Sequence, residues 1–211
     1  MDGFQDQLRA AESWLSAHDP VLASVISAAG PCAIVPHTNF YQQLVDAIIS
    51  QQLSVKAAAT IEGRFCELFG SSEFPPAEKI LDKSVAELRT AGLSNAKANY
   101  VLDLAARVVS GQLKFDQFSS LSNQEIITEL VAVKGIGEWT AQMFLMFSLG
   151  RLDVLPTGDL GIRNGVQKLY NLEKLPTPIE LQALAAAKKW NPYESVASWY
   201  IWHSLDNKPA L

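Results

Sequence analysis

Apolar and small residues recur along this chain at steps of three and four, and no segment alternates at steps of two. From Phe40 the stripe runs through Leu44, Ala47, Ile48, Val55, Ala58, Phe65 and Leu68. That period lines one face of an α-helix, whereas a half-buried strand needs strict alternation. Further amphipathic stretches start near Asp6, Pro76, Ala96, Ser122, Glu138, Gly158, Thr177 and Pro192. Many open on Ser, Thr, Asp or Asn, or carry Pro in the first turn, as helix starts do. Residues 30–37 and 70–76 read as loops, with Gly, Pro and Ser punctuation. The expectation is an all-α protein of roughly eight to ten helices, each about 11 residues long.

A chain of 211 residues can build one substantial core or two small lobes. Its 48% hydrophobic and 18% charged residues exclude a disordered chain. No apolar run approaches the roughly 18 residues needed to span a bilayer. The first residues lack the basic-then-apolar pattern of a secretory signal, so an intracellular protein with no membrane partner is expected. Cys32 and Cys66 stand alone without CxxC spacing, and they read as buried free thiols rather than metal ligands. Three histidines without ligand spacing give no catalytic metal. The net charge of −5 argues against tight non-specific binding to nucleic acid. It leaves room for a clamp built from backbone amides, which carry no net charge.

Chemistry concentrates between residues 130 and 163. There Val133-Lys134-Gly135-Ile136-Gly137-Glu138-Trp139-Thr140-Ala141 joins two helical stretches, and Leu155-Pro156-Thr157-Gly158-Asp159-Leu160-Gly161-Ile162-Arg163 opens a third. Glycine at 135 and 137 permits positive φ and lets a ligand backbone approach without a Cβ in the way. N–H groups at the following helix start can face an anion. A tight helix connection is the competing reading of the same turn. Asp159 follows Trp139 by twenty positions. It serves either as a helix N-cap or as a reactive carboxylate. Asp153, six residues earlier, is the second acid and reads as structural.

These two motifs, with Ala47-Ile48-Ile49-Ser50-Gln51-Gln52-Leu53-Ser54 and Ala91-Gly92-Leu93-Ser94, resemble the helix-hairpin-helix, Gly/Pro-rich loop, aspartate (HhH-GPD) superfamily of DNA glycosylases, and within it the 3-methyladenine DNA glycosylase II group. The resemblance runs from about residue 37 to 207. It implies a single domain over 1–211 made of two helical lobes flanking a DNA-binding cleft, with about 37–110 in one lobe and 1–36 plus 111–211 in the other. It also implies the compact form, without the N-terminal β-domain of larger bacterial relatives. Asp159 takes the place of the catalytic aspartate, and Trp139 stands where strand-cutting members carry a Schiff-base lysine. The implied enzyme is therefore monofunctional: it removes a base and leaves the backbone intact. Two cysteines cannot hold the four-cysteine iron–sulfur cluster of other branches.

The substrate implied is double-stranded DNA carrying alkylated purines, 3-methyladenine and 7-methylguanine. A ring-alkylated base is already cationic and leaves without a general acid, which suits one carboxylate. Neutral lesions such as hypoxanthine or etheno-adenine, and a non-catalytic DNA-binding module, are the alternatives. Trp139, Trp202, Gln51, Phe40 and His37 are expected to border the flipped base, with Trp202 as a stacking surface; Trp199 and Tyr200 read as core. DNA contacts are expected from Lys134, Gly135, Ile136, Gly137, Thr140, Gln52 and Arg163, and a wedge from Leu93, Ser94 or Asn95. The resemblance further implies a structural sodium or potassium ion held by the carbonyls of Val131, Val133 and Gly135 and bridging to a DNA phosphate. It implies a monomer, in the bacterial nucleoid or in a eukaryotic nucleus.

Overall fold

The computed structural model describes residues 2–71 and 73–205, so the last two positions of the resemblance, 206 and 207, lie outside the described residues. Among the described residues there are helices and turns and no strand. The α-helices are α1 (Asp2–His18), α2 (Pro20–Ala29), α3 (Phe40–Ser50), α4 (Val55–Glu67), α5 (Ala77–Leu81), α6 (Val85–Thr90), α7 (Asn95–Val109), α8 (Asn123–Val131), α9 (Glu138–Met143), α10 (Leu160–Leu169), α11 (Pro178–Ala187) and α12 (Glu194–His203). The total exceeds the expected eight to ten because the stripe from Phe40 to Leu68 divides into α3 and α4, and because α2 and the six-residue α6 lie where no separate stretch was read. None of these helices is long and apolar enough to cross a membrane.

Local chemistry explains the helix starts. Ser54, Ser84, Ser94, Ser122, Asp159 and Thr177 each accept a backbone N–H of the helix they precede. Glu87, Glu125 and Glu180 complete capping boxes by returning a carboxylate to the cap residue. Each cap satisfies donors that the helix cannot pair internally and contributes about 1 kcal/mol.

The described residues fall into two compact units. One runs from His37 to Phe144. Its core gathers Leu44, Val45, Ile48 and Ile49 of α3, Phe65 of α4, Val101, Leu104 and Ala105 of α7, with Phe118, Ile126 and Leu130, all buried. The other joins the residues up to Pro36 to those from Leu145 onward. There Leu8, Leu15 and Leu22 pack with Ile162, Val166, Leu181, Trp190, Tyr200 and Ile201. The expected boundary near 110 is therefore corrected: residues 111–144 group with α3–α7. The physical reason is the hairpin turn, whose Lys134 and Gly135 are held by Asp103 and Tyr100 of α7. Both cysteines are buried free thiols, as expected.

Each unit has a carboxyl withdrawn from solvent with consequences for stability, Asp19 buried and Asp46 half-buried. Asp19, fully buried, caps α2 through Val21 N–H and also accepts the Tyr170 hydroxyl and, at 2.8 Å, the Trp190 indole N–H. Asp19→Ala would leave both aromatic donors unpaired and uncap the helix. It should cost about 2–4 kcal/mol, against about 1 kcal/mol for Tyr170→Phe; equilibrium denaturation gives both values. In the other unit, burial and the nearby Glu62 carboxylate push the Asp46 carboxyl up from 3.8 to about 7. Its Oδ1 lacks a hydrogen-bond partner. A carboxyl that holds its proton more tightly when folded contributes stability that is complete below the unfolded value and is lost as pH rises through about 7. Asp46→Asn should therefore flatten the fall in stability between about pH 4 and 8, and an unchanged slope in urea midpoints would exclude that origin.

Candidate active site

The 37–144 unit carries the hairpin. Helix α8 ends at Val131, Val133 N–H reaches back to Leu130 O, and Ile136 N–H to Val133 O, before Gly137 caps α9. Val133 and Ile136 are buried and anchor the turn, so Ile136 can offer a ligand only its backbone. Lys134, Gly137 and Glu138 are exposed, and the Trp139 indole is 48% exposed. The two glycines serve different needs. Gly135 has φ +83°, and a Cβ there would fall 2.1 Å from Cδ2 of Tyr100. Gly137 has an extended backbone, and a Cβ on it would meet nothing within 4 Å. Packing explains the first glycine. The second leaves open space in front of the α9 amides, which is what close approach of a ligand backbone requires.

One face of α7 fixes this turn. Lys97, Tyr100 and Asp103 follow at three-residue steps. Tyr100 lies under Gly135, while Asp103 Oδ2 accepts the Lys134 N–H at 3.1 Å and Arg107 Nε at 3.0 Å, and its Oδ1 lies 3.4 Å from Lys134 Nζ. Burial works to raise the Asp103 carboxyl, but the Lys134 amide and the two cations outweigh it and hold it below the usual carboxylate range. Lys97 Nζ donates to the carbonyls of Ile49 and Gln51, each at 2.7 Å, and closes the end of α3. Gln51 in turn donates from Nε2 to Gly135 O at 2.8 Å. Neither Lys97 nor Tyr100 was visible as functional in the sequence, because both act on backbone atoms dozens of residues away. Past Gln51, Gln52 takes φ +58° and is exposed, and Leu53 is 37% exposed.

Of the three residues expected to supply a wedge, Leu93 is corrected. Leu93 is 4% exposed, because Gly92 at φ +106° turns the chain and directs the next side chain into the core. Ser94 caps α7, and Asn95 is exposed at its first position. Thr140 is half-buried and His37 is exposed. Phe40 packs edge-on to Phe144 at 5.7 Å, within an aromatic cluster with Phe115 and Phe118. The three carbonyls expected to hold a monovalent cation are neutral oxygens at a helix end and in the following turn, a donor set that suits such an ion. Val133 O and Gly135 O each already accept one hydrogen bond and keep a second lone pair. Among the described residues, no group of three His, Cys, Asp or Glu side chains is gathered as for a metal.

The other unit carries the acid. A turn in which Asp159 N–H bonds to Pro156 O delivers Asp159 to the start of α10. Its Oδ1 accepts the Ile162 N–H at 2.7 Å and the Trp202 indole N–H at 2.9 Å. The N-cap reading is thus satisfied, and the half-buried carboxylate has a fixed orientation. Trp202 is only 4% exposed, and its ring lies against Phe147 at 6.1 Å. Arg163 donates from Nε to Pro176 O at 2.7 Å, a tether within the unit. Asp153 is exposed. Tyr200 is fully buried, with its hydroxyl on Glu12 and Gly30 O, as its core reading expected.

The chain is similar to known proteins. The chain is 39% identical to DNA-3-methyladenine glycosylase 1 of Schizosaccharomyces pombe over 163 residues, covering 77% of this chain and 71% of that one. A crystal structure of a DNA-3-methyladenine glycosidase from Bacillus halodurans superposes with a TM-score of 0.82 at 39% identity, covering 90% of this chain and 86% of that one. The S. pombe 3-methyladenine DNA glycosylase Mag1, solved in complex with abasic DNA, gives 0.80 at 33% identity, covering 96% of this chain and 98% of that one. Residues 45–192 match the family described as the HhH-GPD superfamily base excision DNA repair protein, and the chain, with its hairpin and its aspartate in place, belongs to that superfamily.

Proposed function

We propose that this protein is a monofunctional DNA glycosylase of base excision repair, which hydrolyses the N-glycosidic bond of alkylated purines, 3-methyladenine and 7-methylguanine, and leaves an abasic site. The observation that carries the reading is the Asp159 carboxylate, oriented by two N–H donors in a chain whose hairpin bears Trp139 where a lyase needs lysine. Relatives named as 3-methyladenine glycosylases support the substrate class.

Each step falls to a group already placed. The hairpin amides and the open space at Gly137 receive the phosphate backbone of duplex DNA, with Lys134 beside them. Carbonyls of Val131, Val133 and Gly135 would hold a sodium or potassium ion, which would supply positive charge next to a phosphate. The target nucleotide leaves the stack at a cost of a few kcal/mol. Leu53, exposed beside Gln52, replaces Leu93 as the apolar side chain suited to fill the gap. A cationic base on the exposed indole of Trp139 gains about 0.5–2 kcal/mol that a neutral base does not. Asp159 then stabilises the developing sugar cation and orients or deprotonates the attacking water. The alkylated base departs as a neutral molecule, so no second acid is required. The protein works as a monomer on chromosomal DNA, in the nucleoid or the nucleus.

Incubation with methylated duplex DNA should release 3-methyladenine and 7-methylguanine, detected by mass spectrometry, and borohydride should trap no covalent adduct. Asp159→Asn should slow release by roughly 10²- to 10⁴-fold while duplex binding persists; undiminished release would remove Asp159 from the chemistry. The two glycines give a separate test. Gly137→Ala should keep stability within about 0.5 kcal/mol yet weaken duplex binding about tenfold. Gly135→Ala should also lower the melting temperature, because its Cβ collides with Tyr100. Full binding by Gly137→Ala would move the DNA contact away from the hairpin.

A further inference from the structure

Trp202 is the pocket residue whose surroundings depart furthest from the role the resemblance implies. A stacking platform must present a ring face, and 4% of Trp202 is exposed. Its one polar atom is spent on the acid, 2.9 Å from Asp159 Oδ1. An indole N–H can only donate, so its natural buried partner is an acceptor such as a carboxylate. Two glycines one helical turn apart make that contact possible. A Cβ at Gly161 would stand 3.0 Å from Asp159 Oδ1 and 3.2 Å from Trp202 Nε1. A Cβ at Gly165 would stand 2.4 Å from Cγ2 of Ile201. Neither glycine has a positive φ, so backbone conformation does not explain them. Both lie on the face of α10 that meets α12, and both make the room that α12 fills.

We propose that Trp202 is a positioning residue for the Asp159 carboxylate rather than a stacking surface for the excised base, and that Gly161 is the opening through which its indole reaches that carboxylate. The inference rests on the glycosylase reading for its kinetic consequence, but the contact itself does not. Ile162 N–H and Trp202 Nε1–H land on the same oxygen, so one bond comes from the local helix start and the other from a helix 43 residues along the chain. Together they fix the rotation of the carboxylate about its Cβ–Cγ bond. A carboxylate held this way meets the developing sugar cation without first reorganising.

Two readouts test the inference. In the first, the five indole N–H resonances of the full protein are recorded by NMR, with Trp202 assigned by its loss in Trp202→Phe. Asp159→Asn should move the Trp202 proton more than the other four; an unmoved Trp202 proton overturns the proposal. In the second, single-turnover release of 7-methylguanine is measured beside the affinity for abasic duplex. Trp202→Phe should lower the rate constant roughly 10- to 100-fold, as for loss of a hydrogen bond to a charged group, with affinity retained. Gly161→Ala should do the same while keeping every side chain of the contact, and it guards against a folding defect in the Phe variant. A raised KM at unchanged kcat in both variants would restore the stacking role and overturn the inference. If the wild-type protein released no methylated purine while its Trp202 proton still responded to Asp159→Asn, the glycosylase reading would fail and the positioning contact would stand.

Discussion

Every helix begins with N–H groups that have no carbonyl to meet, and a chain made only of helices meets that constraint at each start. This protein answers it at most starts with a side-chain oxygen from the residue just before the helix, although α5, α9 and α12 have no such cap. The consequence for the proposed acid is that the helix start already supplies part of its hold, to which the Trp202 indole adds the rest. Asp159 occupies a position where any helix would welcome a carboxylate, and the cap that stabilises α10 also aims the group. On the proposed reading one oxygen would serve both structure and chemistry, and the indole contact goes beyond what an ordinary cap requires.

The hairpin depends on the same economy of polar contacts to backbone. Lys97, Asp103 and Gln51 each spend their side chains on carbonyls or amides of the α3 end and the α8–α9 turn. Side chains that bond backbone in this way fix where a loop runs without depending on what residues the loop contains. The turn can therefore carry glycine at 135 and 137, the residues least able to hold a conformation by themselves, and still present one surface.

Much of this was legible in the sequence because it is local. Helix starts showed through their caps, and the hairpin and Asp159 showed through glycine spacing and a carboxylate at fixed distance. What was not legible depends on partners far along the chain. Gln51 was read as a residue bordering the flipped base, while the acceptor of its side chain, Gly135 O, lies 84 residues away. Leu93 looked like a loop tip because its neighbours are loop residues, yet the conformation at Gly92 decides which way it points. Trp202 was found as a residue type, while residue type cannot say whether a ring offers its face or its edge. The boundary near 110 failed for a related reason: a turn bound to α7 through Gly135 and Lys134 gives no compositional sign of that attachment.

The pairing of Asp103 with Arg107 and Lys134, and the inward commitment of Lys97, bear on how the acidic chain would meet a polyanion. Each phosphate neutralised by a lysine or arginine steepens the logarithmic salt dependence of binding by roughly 0.9. Here Asp103 offsets part of the charge of Arg107 and Lys134, and Lys97 points into the protein. Contact of the proposed hairpin with DNA would then fall mainly to neutral amides, which release no counterions. Binding of that kind varies little with ionic strength. On the proposed glycosylase reading it would leave the protein loosely attached to undamaged sequence, with residence time set at the lesion rather than by general attraction to the helix.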